Sequence, residues 1–145
     1  MSKGYVYQNE NDEATLPGSG RTLRGSLIMS SYYNLDLTAA TAYDLFTVPA
    51  SKKFIITGIY LVATNVSGYV SDATASVGAN ATNYDDYIGS LTAQIPATDS
   101  VNNATMNASQ LFKTYSAGDV IKFNVTAAAV ATNYKITVDL MGYLI

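Results

Sequence analysis

Seven residues near the C-terminal end restrict the fold more than any other feature. In Val120-Ile121-Lys122-Phe123-Asn124-Val125-Thr126 apolar and polar side chains alternate from Ile121 onward. Successive side chains of a strand point to opposite faces, so Ile121, Phe123 and Val125 share one face and Lys122, Asn124 and Thr126 the other. One face is suited to a core, the other to solvent. From Leu27 onward the chain keeps this texture, with short β-branched and aromatic runs between clusters of Gly, Pro, Asn and Asp and no helical period longer than two turns. Residues 27–37, 41–48, 54–63, 69–77, 84–91, 110–115 and 134–145 read as further strands, about eight in all.

That many short strands with no helix signal predict an all-β fold, an antiparallel β-sandwich. Connections that alternate between tight turns and long crossings favour the jelly-roll type over an up-and-down barrel. Ser116-Ala117-Gly118-Asp119 is turn chemistry, with Gly118 free to take positive φ, and reads as the turn of a hairpin joining 110–115 to 120–126. Val48-Pro49-Ala50-Ser51-Lys52-Lys53 reads as the turn of a second, joining 41–48 to 54–63. The polar, Pro-broken stretch 92–107 reads as a long loop.

Two strands break the simple alternation. Residues 54–63 are apolar on both faces, and the last run alternates at first and then, from Leu140, becomes apolar on both sides. Such segments need protein on both sides, and part of that cover is expected from other copies of the chain. Ile55, Ile59, Leu61, Met141, Tyr143 and Ile145 are therefore the candidate self-association residues. Residues 1–26 have a different composition, rich in Gly, Ser, Asn and Glu, with too few apolar anchors to offset their ordering entropy. They read as an N-terminal arm or linker preceding a domain at 27–145. Within the arm, Tyr5 and Tyr7 are candidate partner-binding aromatics. Arg21 and Arg24, the only arginines in the chain, are suited to planar bidentate contacts at an interface. The alternative for that pair is two solvated charges on a flexible segment.

Composition excludes several functions. Beyond Arg24 five lysines face eight aspartates, which leaves no basic field for phosphates and argues against nucleic acid. There is no His and no Cys, so the usual nucleophilic triads and any ordinary zinc site are absent, and neither a cofactor nor a metal is expected. An enzyme would have to run on carboxylates, yet the adjacent pair Asp85-Asp86 would point to opposite faces of a strand. The cluster Asn83-Tyr84-Asp85-Asp86, with Asp72, has oxygens for calcium but lacks the spacing of a known loop, and a solvated turn is the plainer reading. Twelve tyrosines without Trp offer faces for sugar rings, although in strands they more often pack half-buried. No run approaches the ~20 apolar residues of a membrane helix, and the first residues lack a secretory signal. Synthesis in the cytoplasm and delivery by assembly or lysis are expected. Only 13% of residues are charged, about half the usual fraction, as for a surface that partners cover.

The pattern Ala-Gly-Asp-Val-Ile-Lys-Phe-Asn-Val-Thr at 117–126, followed by Lys-Ile-Thr-Val-Asp-Leu-Met-Gly-Tyr-Leu-Ile at 135–145, resembles the closing strands of small jelly-roll proteins in tailed-bacteriophage virions. Tyr-Asp-Leu-Phe-Thr-Val-Pro-Ala-Ser-Lys-Lys-Phe-Ile-Ile-Thr-Gly-Ile-Tyr-Leu at 43–61 is similar to their opening strands. Capsid decoration (cement) proteins and head-fibre domains carry such modules. The resemblance implies a homotrimer on the outer capsid surface of the virion, bound to the major capsid protein, with a terminal arm reaching over neighbours. A fibre-type receptor or glycan-binding module is the alternative it leaves open.

Overall fold

A computed structural model describes residues 14–15, 22–23, 26–93, 101–103 and 113–145. Among the described residues eleven strands run in chain order: β1 (Ala14–Thr15), β2 (Thr22–Leu23), β3 (Ser26–Asp36), β4 (Ala42–Thr47), β5 (Lys53–Ser67), β6 (Ala73–Gly78), β7 (Ile88–Ala93), β8 (Val101–Asn103), β9 (Thr114–Ser116), β10 (Val120–Ala127) and β11 (Asn133–Leu144). Among the described residues β1 and β2 pair only with each other; they lie in the arm expected over 1–26, whose last residue, Ser26, already belongs to β3, while residues 1–13, 16–21 and 24–25 lie outside the described residues. The other nine form two antiparallel sheets, one ordered β4-β10-β6-β7, the other β3-β11-β5-β8 with β9 also on β5. β8 and β9 share one edge of β5, at Tyr60–Val62 and Lys53–Ile55 respectively. Counted as one position, they complete eight strands paired first with last, second with seventh, third with sixth and fourth with fifth. This is the connectivity of a jelly-roll sandwich.

Alternation places the core. Phe54, Ile56, Ile59 and Leu61 of β5 and Tyr134, Ile136, Val138 and Leu140 of β11 point into the space between the sheets, where they meet Ala75 and Val77 of β6 and Ile121, Phe123 and Val125 of β10. The rings of Phe46 and Phe54 pack with centroids 4.6 Å apart. A bulge shifts the β5–β11 register between Met141 and Gly142, so that two residues of β5, Thr57 and Gly58, separate the inward Ile56 and Ile59. Gly142 is fixed by packing, because a Cβ there would run into the Ile55 carbonyl and the Phe54 ring.

Both expected hairpins are corrected by the sheet assignments. β4 and β5 lie in opposite sheets, as do β9 and β10, so each short turn carries the chain across the sandwich. The two turns bond to each other instead: Val48 N–H donates to Asp119 O and Gly118 N–H to Val48 O, each at 2.9 Å. Gly118 takes φ +88°, the left-handed conformation expected of it. Residues 69–72 and 84–87 are loop, where strand was expected, while β8 interrupts the expected 92–107 loop. The described residues contain no helix.

Candidate assembly surface

The outward faces of the two sheets differ in chemistry. On the β4-β10-β6-β7 sheet the outward side chains are polar. Lys122 pairs with Asp44 at 2.8 Å, and its ammonium lies 5.0 Å from the centroid of the Tyr84 ring. The hydrogen bond to Asp44 holds the Lys122 ammonium above its ordinary pKa. Thr126 donates to Thr74 O. The loop between β6 and β7 folds back over this face: Ser76 Oγ donates to Asn83 O at 2.8 Å, and Asn124 Nδ2 donates to the same carbonyl at 3.1 Å. The chain lays its own polar loop over Ser76 and Asn124 of this sheet.

Asp86 and Asp85 anchor that loop. Asp86 Oδ1 accepts from Ala79 N–H at 2.8 Å and from the Tyr115 hydroxyl at 3.3 Å, and Oδ2 meets Lys113 Nζ at 3.1 Å. Burial pushes the Asp86 carboxyl up, but the Ala79 N–H and the Lys113 ammonium outweigh it and leave the group below its ordinary value. Burial, with Asp86 beside it, raises the Tyr115 phenol, and burial alone raises Tyr87 to about 12. Asp85 Oδ1 accepts from Asn80 Nδ2 at 2.6 Å while its own N–H donates to Asn80 Oδ1. Both carboxylates are thus engaged in closing a turn. No group of three or more metal-ligating side chains occurs among the described residues.

The β3-β11-β5-β8 sheet presents the opposite character over half of its outward face. Direct cross-strand pairs put Tyr143 beside Ile55 and Met141 beside Gly58. Tyr60, 36% exposed, carries its ring over Gly58, with Cε2 3.3 Å from where a Cβ would stand. Tyr143 is 47% exposed, and Val62, Ile55 and Met141 are half-buried. Ile145 ends the patch, also 47% exposed, with its backbone tied to Lys53 in both directions at 2.8 Å. Toward the other end the face turns polar: Ser31 donates to Asp139, and Lys135 stands opposite Asp36. The Thr38 hydroxyl holds the Asp36 carboxyl below its ordinary pKa. At that corner Tyr43 closes the edge of β3, its hydroxyl donating to Asp36 O at 2.9 Å and accepting from Asp36 N–H at 3.1 Å.

Of the residues singled out in the sequence, Ile55, Met141, Tyr143 and Ile145 therefore come together on one outward surface. Ile59 and Leu61 do not; they are fully covered between the sheets of a single subunit. Tyr5, Tyr7, Arg21 and Arg24 lie outside the described residues. In the sequence Tyr60 reads only as a half-buried strand tyrosine and not as one of this set; its signal is its place in the alternation, outward between the inward Ile59 and Leu61.

No protein-family model matches the chain, and no curated protein matches it. Solved structures do. A chain in the capsid asymmetric unit of cyanophage Pam1 superposes with a TM-score of 0.59 at 21% identity, over 90% of this chain and 94% of that one. A chain in the capsid of Ralstonia phage GP4 gives 0.52 at 15% identity, over 89% and 90%. One in the acid-stable capsid of Helicobacter pylori bacteriophage KHP30 gives 0.49 at 18%, over 84% and 97%. At these identities the likeness is one of fold.

Proposed function

We propose that the chain is a non-enzymatic virion structural protein, a homotrimeric capsid decoration (cement) protein that binds the major capsid protein on the outer surface of the shell and stabilises it. The observation that carries this reading is the unequal treatment of the two sheets. One presents polar side chains bonded in part by the chain's own loop, while the other leaves Ile55, Tyr60, Met141, Tyr143 and Ile145 on one outward surface. An apolar patch with a polar border is the anatomy of a protein–protein contact. The fold likeness to chains found in the capsids of Pam1 and GP4 supports a virion setting. In this reading the surface around Tyr143 joins copies of the chain, and the segment 1–26, with Tyr5, Tyr7, Arg21 and Arg24, adds contacts to neighbouring shell subunits.

Analytical ultracentrifugation of the full chain over a range of concentrations tests the self-association. A trimer that dissociates on dilution is expected, with Tyr143→Asp and Ile55→Asp shifting it to monomer. A monomer at every concentration would overturn the reading. So would binding to a glycan array, lost in Tyr60→Ala, by a chain with no affinity for capsid shells; that outcome belongs to a fibre-type receptor-binding module.

A further inference from the structure

Resting on the decoration reading, we infer which end of the sandwich meets the shell: the end where the 37–41, 68–72 and 128–132 loops converge docks on an uncharged, apolar surface of a shell protein. The strands place these three connections together at one end, and the 48–52, 79–87 and 117–119 connections at the other.

The converging loops form one hydrogen-bonded tip. Ala129 N–H donates to Leu37 O and Val70 N–H to Val130 O, both at 2.8 Å, and Val130 N–H donates back to Ser71 O at 3.2 Å. On this framework Val70 is 72% exposed and Val130 56%, the highest values among the exposed large apolar side chains of the described residues. Their backbones are joined through the Ser71–Val130 bridge. Tyr69 stands beside them, its ring edge-on to buried Tyr134 at 6.1 Å and its hydroxyl donating to Asp72 at 2.8 Å. Two valines and a tied tyrosine on a bonded tip lose little conformational entropy when a partner covers them, because valine is already stiff at χ1.

Charge decides the partner. Asp72 is the one charged residue in the three tip loops, and Tyr69 already bonds it. The opposite end carries Lys52, Lys53, Lys113, Asp85, Asp86 and Asp119. A subunit lying between a protein surface and bulk water places its more highly charged end in water, where those groups keep their hydration, and against protein the end whose carboxylates, Asp72 and Asp36, are already bonded to Tyr69 and Thr38. A membrane surface fits less well, since the tip loops hold no Lys or Arg to draw an anionic headgroup.

The test is co-sedimentation of the full chain with capsid shells stripped of it, using Val70→Ser/Val130→Ser at the tip and Lys52→Glu at the far end. Both variants alter exposed side chains and should melt as the wild type does. The tip variant is expected to bind shells at least about tenfold more weakly, and Lys52→Glu within about twofold of wild type. Tip-variant binding equal to wild type, or a loss confined to Lys52→Glu, overturns the orientation and leaves the decoration reading standing. Wild-type chain that fails to bind shells overturns both. Flotation with phosphatidylcholine vesicles in place of shell binding would instead assign the tip to a membrane.

Discussion

Replacing Asp86 by alanine removes three partners at once, and the structure allows the cost to be worked through. The Ala79 N–H loses an ionised acceptor at 2.8 Å, an interaction worth about 1.5–3 kcal/mol. The Tyr115 hydroxyl, on a residue only 2% exposed, loses its acceptor at 3.3 Å, and stranding such a group costs about 1–3 kcal/mol, here at the low end because the bond is long. The Lys113 ion pair is one-third exposed on the lysine side and adds less than about 1 kcal/mol. A loss of about 3 kcal/mol follows, which at a urea m-value of about 2 kcal/mol/M moves the unfolding midpoint down by about 1.5 M. Asp86→Asn keeps an acceptor for Ala79 and should lose about half as much. The assay is urea unfolding followed by far-UV circular dichroism, at one fixed protein concentration because self-association feeds into apparent stability. An Asp86→Ala midpoint within about 0.3 M of wild type would refute the account of the 79–87 loop.

The same carboxylate gives a pH signature. Its folded-state pKa lies below the ordinary 3.8, so its stabilisation is complete above that value and is lost as pH falls from about 4 through the lower folded-state pKa. Asp36, whose carboxyl the Thr38 hydroxyl chiefly holds low, contributes stability with the same pH dependence. Wild-type stability should therefore fall across this window, and Asp86→Ala should show a shallower fall.

Three further outcomes are expected. Gly142→Ala should cost about 2–4 kcal/mol in the same unfolding assay, since the added carbon would displace either the Ile55 carbonyl or the Phe54 ring. Ile59→Ala should lower stability by about 2–5 kcal/mol and leave a fully folded sample sedimenting as wild type, whereas Tyr143→Asp should change sedimentation with little effect on the subunit's own core. Removing residues 1–26 should leave a folded domain that pellets more weakly with capsid shells; unchanged pelleting would make that segment a passive linker.

The strands were legible because alternation is a local property. Val120–Thr126 reads as half-buried from its seven residues alone, and Ile121, Phe123 and Val125 are indeed inward. Alternation says which residues share a face but not which sheet the strand joins, because its period of 2 is the same in both. For that reason the turns at 49–52 and 117–119 read as hairpins, although each spans the sandwich. The same limit explains the self-association set. Two-sided apolar strands signal cover on both faces; the inward half, Ile59 and Leu61, is covered by the second sheet, and Ile55, Met141 and Tyr143 face outward. Val70 and Val130 drew no attention in the sequence, since two valines far apart in a polar chain become a feature only when Ser71 and Val130 bridge.

The low charge of the chain acquires a physical role once the two sheets are compared. A lone jelly roll of this size needs a polar exterior on both sheets, and here one sheet has it through Asp44, Lys122 and Asn124 while the other has it over only part of its outward face. Roughly half of Tyr143 remains exposed, on the order of 100 Å² of ring and side-chain surface for a residue of this kind. Hiding that area contributes at most about 2.5 kcal/mol per copy before association costs, which is too little to hold an isolated pair firmly. In the proposed assembly, repeated around a closed ring of copies held by further contacts to a shell, the same increment would act within a high effective concentration and would no longer bear the full entropic cost of association. A weak apolar face on a sparsely charged chain is thus poorly suited to a protein that works alone in solution, and well suited to one whose contacts are counted over many identical neighbours.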